Sequence, residues 1–418
     1  MTHFRTKTVF SLAALVALGV SNVATAETTL NWAIWDYDST PYYQPLIDAY
    51  EAANPDVKIE VTDLGSSDYN QMIMTQLTGG SNEIDVVTIK DIPGYAKMVS
   101  TGRLKNLTEI GATPEDTAAY GGLIETLELG GGVYGLPFRT DFWIVYYNKD
   151  HFDAAGVDYP TNDMTWAEFD EKARAVTSGF GVNKIYGTHL HTWRSTVQLP
   201  AIQNGETTLV ADDYTFLKPW YKRALSLQED GVIRSYGSLK TSQTHYSGPF
   251  FNSQIAMLPM GSWFIGTQIN KVASGESSAA NWGITSYPTP EGVQPGATSG
   301  QVTSLGINVN STQGEAAEDF IQWVSGPDGA AIMASVGNIP ALRDNKVMDT
   351  ITSREGFPQD ETSAGALITS ATYLEMPVHP QAAEYELVLN RVHDALMTEN
   401  ISIEDAIKEM NDGVAAID

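Results

Sequence analysis

Apolar residues recur along this chain with two alternating periods. Leu30, Trp32 and Ile34 repeat at every second position, so residues 28–35 predict a strand. From Pro41 the spacing becomes helical: Leu46, Ala49, Tyr50 and Ala53 share a face, and Asn54-Pro55 stops the helix. Val57, Ile59 and Val61 return to period two. A helix over Asp68–Leu77, with Met72, Ile73, Met74 and Leu77 as its core side, ends on Gly79-Gly80. Asp85–Ile89 then reads as a short buried strand and Pro93–Ser100 as a helix. This strand–helix alternation predicts a parallel sheet with right-handed crossovers.

The remainder is also mixed. Ile144–Asn148 and Ile255–Met260 read as strands, and Thr165–Ser178, Phe216–Asp230 and Ser262–Lys271 as helices. The stretch 285–301, holding Pro288, Pro290 and Pro295, reads as a connection. Val302–Val309 predicts another strand, followed by helices over Gly314–Trp323 and Pro327–Val336 and a helical tail from about Gln381. There is no internal repeat.

The first 26 residues belong to a different class. Arg5 and Lys7 precede a twelve-residue apolar run, Val9–Val20, and Ala24-Thr25-Ala26 has the small-x-small form of an export cleavage site after Ala26. Twelve residues fall short of the ~20 that span a bilayer. The whole chain of 418 residues carries 24 Lys and Arg against 51 Asp and Glu, a formal charge of −27. Loss of Arg5 and Lys7 with the leader makes it −29. Such acidity argues against nucleic-acid partners, which need a basic face. The absence of cysteine removes disulfides, thiolate metal sites, Cys nucleophiles and a lipidated anchor. An exported, soluble, periplasmic protein is expected.

Several sequence blocks occur in a telling order. They are DVVTIKDIPGYAKMVSTGRLKNL at 85–107, VYGLPFRTDFWIVYYNK at 133–149 and TWAEF at 165–169. Downstream come QIAMLPMGSW at 254–263, SLGINV at 304–309, EAAEDFIQW at 315–323 and GNIPALR at 337–343. Together they resemble the extracellular solute-binding proteins of ABC sugar importers, the maltose-binding-protein-like class. The resemblance implies a two-lobe α/β periplasmic-binding fold of type II, each lobe discontinuous, with ligand held in the cleft between them. Lobe one would comprise 27–138 and 302–345, lobe two 142–297 and 350–418. Hinge crossings would lie near 139–141, 298–301 and 345–350.

Sugars are held by aromatic faces against C–H faces of the ring and by planar polar groups on paired hydroxyls. Trp35 and Asp38 follow the first strand and offer both; alternation sets Trp35 apart from Trp32 and favours the cleft, the alternative being that Trp35 is core and Asp36 a turn residue. Asp91 and Lys90 end the DVVTI strand at a position that, in the resembled family, contacts ligand; Asp91 could instead cap the helix entered at Pro93. Asp141 matches an acidic residue at the first crossing, facing sugar hydroxyls or Arg139. Gly261, Ser262 and Trp263 match a stacking tryptophan at a helix start, with backbone N–H groups available; a buried Trp is the alternative. Trp193 matches an aromatic cleft position. Arg343 fits an element near the cleft or makes a surface ion pair, and Tyr385 falls within a residue of an aromatic cleft position.

His189 and His191 have no third partner nearby and are a weak zinc signal, so no metal, cofactor or catalytic residue is expected. The resemblance implies a monomer that captures a sugar or polyol and delivers it to the transmembrane subunits of an ABC permease. Two alternatives stand beside it. One is an anionic sugar or polyol derivative, with Lys90, Arg139 and Arg343 supplying countercharge. The other is an exported glycoside hydrolase, for which no carboxylate pair is singled out.

Overall fold

The computed structural model describes residue 1 and residues 27–110, 119–120, 122–342 and 345–417. The expected leader beyond Met1, and Arg343, lie outside them. Among the described residues no helix is long and apolar enough to cross a membrane.

Nine strands are present among these residues: β1 Thr28–Ile34, β2 Val57–Asp63, β3 Val86–Ile89, β4 Leu136–Asn148, β5 Tyr186–Thr188, β6 Ile255–Gly261, β7 Trp282–Ser286, β8 Ala297–Ile307 and β9 Ala371–Leu374. They follow one hydrogen-bonded path, β2-β1-β3-β8-β4-β6-β5, with β7 added to β4 and β9 to β8. β1 pairs parallel with β2 and β3, as the alternation of strands and helices requires.

The two long strands connect the halves of this path. The first part of β4 pairs antiparallel with β8, and its second part pairs with β6 and β7. β8 reaches β3 at its far end. Where they cross, Arg139 lies opposite Thr303, Thr140 opposite Val302 and Asp141 opposite Gln301. The sequence pattern predicts only the second half of each long strand. Polar residues at 139–141 and 298–301 break the apolar period there, so 297–301 resembles a connection although it is a fully paired strand.

Trp32 within β1 and Trp35 just past it are both buried, in two separate apolar clusters. Trp32 is fully buried, edge-on to Tyr43 and Phe320 at 5.2 Å each, and its indole N–H donates to Thr88 Oγ1 at 2.8 Å. In the helix Tyr69–Thr78, Tyr69, Ile73 and Leu77 face the core at i, i+4 and i+8. Met72 departs from expectation: it is 41% exposed, one helical step off that stripe. The helix Ile92–Ser100 packs on the long helix Ala382–Met397, far away in sequence, and Lys97 Nζ lies 3.0 Å from Glu384 there.

Candidate functional site

The residues at the carboxyl ends of β1 and β3 form one wall. Trp35, one position past β1, is 7% exposed and belongs to the buried core there, the alternative named from the sequence; it packs edge-on to Tyr69 at 5.0 Å, with Lys90 Nζ 5.6 Å and the Arg139 guanidinium 5.8 Å from its ring centre. Lys90 is not a free cation, because its ammonium donates to Ser66 O at 2.5 Å. Asp91 caps the Ile92–Ser100 helix: Oδ1 accepts from Gly94 N at 2.8 Å, and Asn70 Nδ2 donates to both oxygens. The capping role is therefore real and occupies much of its acceptor capacity. Asp38 is exposed on a short 3-10 turn. The carboxylate that turns inward is Asp36, held at φ 49° and accepting from Ser66 N at 3.0 Å. Asp tolerates this left-handed conformation, which leads from β1 into the Tyr37–Ser39 turn.

A buried ion pair lies at the strand crossing. Arg139 Nε is 2.9 Å from Asp141 Oδ2, with the residues 5% and 2% exposed. Arg139 also donates to Tyr42 OH at 2.7 Å and Thr303 Oγ1 at 3.1 Å, and Ser262 Oγ donates to Asp141 Oδ1 at 2.9 Å. Burial works against the charged guanidinium, but Asp141, Tyr42 and Tyr43 outweigh it and raise its pKa. The structure thus gives Asp141 the Arg139 partner rather than a free carboxylate, and Ser262 is engaged as well. The Ser262 N–H, expected to be available, donates to Phe142 O at 2.9 Å.

A second group of side chains is aromatic. Trp263 occupies the N-cap of the helix Phe264–Ala273 and is half-buried. Its ring lies directly over Gly261, where an added Cβ would fall 1.9 Å from a ring carbon. Trp143 meets Trp263 edge-on at 5.9 Å, and Trp193 meets it at 6.3 Å. Tyr246, which the sequence does not single out, extends this group 5.5 Å from Trp193. Behind it sit His189, His191 and His245, kept neutral by burial; burial first, then Arg234 and His245, push His189 down to about 3. Among the described residues, no group of three His, Cys, Asp or Glu side chains is placed to hold a metal ion.

The third side comes from the C-terminal part. Tyr385 is half-buried, edge-on to His379 at 5.7 Å. Its neighbour Glu386 ion-pairs with Arg194, whose Nε lies 2.9 Å away. Glu375, directly after β9, accepts from the Trp143 indole N–H. Burial pushes its pKa up to about 7; Trp143 and Arg194 oppose this, while Glu386 and Asp91 add to it. No sequence signal marks Glu375 or Tyr246, since their partners are remote in the chain; Asp36 is the turn residue that the sequence offers as an alternative. The side chains therefore run continuously from Trp35 through Arg139, Asp141 and Ser262 to Trp263 and Trp193, joining both halves of the sheet path. Stacking surfaces beside fixed hydrogen-bonding groups suit a small polyhydroxylated molecule.

Residues 37–331 match the family described as bacterial extracellular solute-binding protein. Over 94% of this chain and 100% of that one, the fold is similar to the crystal structure of a sugar transporter from Rhizobium etli in an open conformation, at 59% identity and a TM-score of 0.78. The chain is 27% identical to the lactose-binding protein of Rhizobium radiobacter, over 40% of this chain and 39% of that protein. It is 22% identical to the mannitol-binding protein of Pseudomonas aeruginosa, over 78% and 76%. The chain spans 39–53% of the length of the first curated relatives it matches.

Proposed function

From the premise that this chain belongs to the bacterial extracellular solute-binding protein family, with its type II periplasmic-binding fold, we propose that it captures a sugar or polyol and hands it to an ABC permease. The carrying observation is the continuous path from Trp35 to Trp193 across the Arg139–Asp141 pair. One lobe, 27–138 with 302–345, supplies Trp35, Lys90 and Asp91. The other, 142–297 with 350–418, supplies Trp193, Ser262, Trp263 and Tyr385. The crossings near 139–141, 298–301 and 345–350 act as the hinge. A ligand touching both walls favours closure, whereas one touching a single wall shifts nothing. The lactose- and mannitol-binding relatives support this ligand class. The protein works as a monomer in the periplasm after cleavage at Ala26, binding without turnover.

A neutral ligand fits better than an anionic one. Lys90, Arg139 and Arg194 are each engaged by an acceptor within the site, so no described cation at these walls awaits an anion. A thermal-shift screen against neutral sugars and polyols tests the proposal, because a ligand at a hundred times its Kd stabilises by about 2.7 kcal/mol. No shift across mono-, di- and oligosaccharides and sugar alcohols would sink it. New reducing ends from an oligosaccharide would instead reveal a hydrolase.

A further inference from the structure

Acidic groups gather where the Ile92–Ser100 helix meets the Ala382–Met397 helix. Asp91 caps the first helix, Glu384 and Glu386 lie on the second, and Glu375 stands beside them after β9. Most of these carboxylates have a close partner. Lys97 meets Glu384 at 3.0 Å, Arg194 meets Glu386, and Gly94 N–H and Asn70 serve Asp91. Glu375 differs: among the described residues it forms no salt bridge, and its side-chain bond is the one from the Trp143 indole. It is also held in place. Its N–H donates to Gly300 O at 2.9 Å, and Gly300 lies opposite Phe142 in the β4–β8 crossing.

We propose that Glu375 makes closure of the two lobes proton-linked, the closed arrangement taking up a proton on this carboxyl and opening releasing it. The proposal rests on the hinge-closure reading above. Four side chains face the group. Trp143 on β4 donates to it and Arg194 attracts it, although Arg194 is shared with Glu386. Glu386 on the long helix and Asp91 on the other lobe repel its ionised form. Desolvation of this half-buried carboxyl, helped by Glu386 and Asp91, outweighs Trp143 and Arg194 and holds it near neutral, at about 7. Opening carries Asp91 away and admits water, both of which favour the ionised form. The closed form therefore binds the proton more tightly, and acidification favours closure by up to about tenfold per pH unit.

The chain has no cysteine, so Thr78→Cys on one lobe and Val182→Cys on the other, both exposed, give a unique pair of spin labels. Electron–electron distance distributions of the ligand-free protein at pH 6 and pH 8 are expected to show the short-distance population falling several-fold at pH 8. Glu375→Gln should remove that dependence. Glu386→Gln should move the midpoint to lower pH, because it deletes a repulsive neighbour and frees Arg194. Identical distributions at the two pH values, or an unchanged response in Glu375→Gln, would overturn the proposal. Because no ligand is used, that failure is separate from a failure of the sugar screen.

Discussion

Arg139 and Asp141 stand two residues apart on β4, and so on one face, where their charges meet at 2.9 Å with almost no exposure to water. A charge pair so placed is stable only while both members remain, since each is the other's main compensation for lost hydration. Asp141→Ala is expected to cost about 3–5 kcal/mol by leaving a buried guanidinium unpaired. Asp141→Asn should cost less, because the amide oxygen still accepts from Ser262. Urea unfolding measures both, and an unchanged midpoint for the alanine variant would mean that water reaches the pair.

Trp263 depends on its neighbour in a different way. With a Cβ at 261 falling 1.9 Å from the ring, Gly261→Ala must displace the indole from its present place. Both Gly261→Ala and Trp263→Ala are expected to weaken ligand binding at least tenfold, or about 1.4 kcal/mol. For Trp263→Ala the melting temperature should stay within a few degrees. Trp32→Ala supplies the contrast: it removes a fully buried ring and should cost about 3–5 kcal/mol of stability. Calorimetry with the first ligand from the screen decides. Unchanged affinity with collapsed stability for Trp263→Ala would make Trp263 a core residue.

What the sequence discloses follows the locality of each signal. Alternation assigns Trp32 to the core but does not mark Trp35, just past β1, which is buried as well, while the helix read from Thr165 does start there, with the Thr165 side chain capping Glu168 N–H. The first halves of β4 and β8 are obscured because polar side chains stand there with local partners, Arg139 paired with Asp141 on β4 and Thr298 on β8 donating to Trp143 O. A strand lined with such pairs lacks an apolar period. Asp36, legible as a turn residue, takes the inward place expected of Asp38 because its partner, the Ser66 N–H, lies 30 residues away. Glu375 is hidden for the same reason at longer range, its indole partner lying 232 residues away.

The engagement of Lys90 and Arg139 bears on ligand charge. If the ligand is neutral, its affinity should change little between about 0.05 and about 0.5 M salt, because screening acts only on charge pairs. Titration calorimetry at the two salt levels measures this. A steep fall in affinity would show that one of these cations leaves its internal partner for an anionic ligand.

Acid sensitivity should come chiefly from buried histidines. His393 is pushed down to about 3, by burial first, with Arg194 and Lys240 adding to it and Asp394 opposing; its Nδ1 is 3.1 Å from Tyr221 OH. His189 is lowered to a similar value. In the unfolded chain both imidazoles take protons near 6.5, while the folded chain resists until about 3. Their contribution is therefore complete above about pH 6.5 and is lost as pH falls toward 3, by about 1.4 kcal/mol per pH unit for each histidine. Glu375 acts in the opposite sense, because its raised pKa favours the fold as pH falls through about 7 toward its ordinary value of 4.5. One carboxyl against two imidazoles leaves a net loss on acidification below about pH 6.5. Urea unfolding at pH 7 and pH 5 should show that loss, and His393→Gln, which retains a partner for Tyr221, should make it shallower by about one histidine's share. Equal stability at the two pH values, or an unchanged slope in the variant, would show that water reaches these rings in the folded protein.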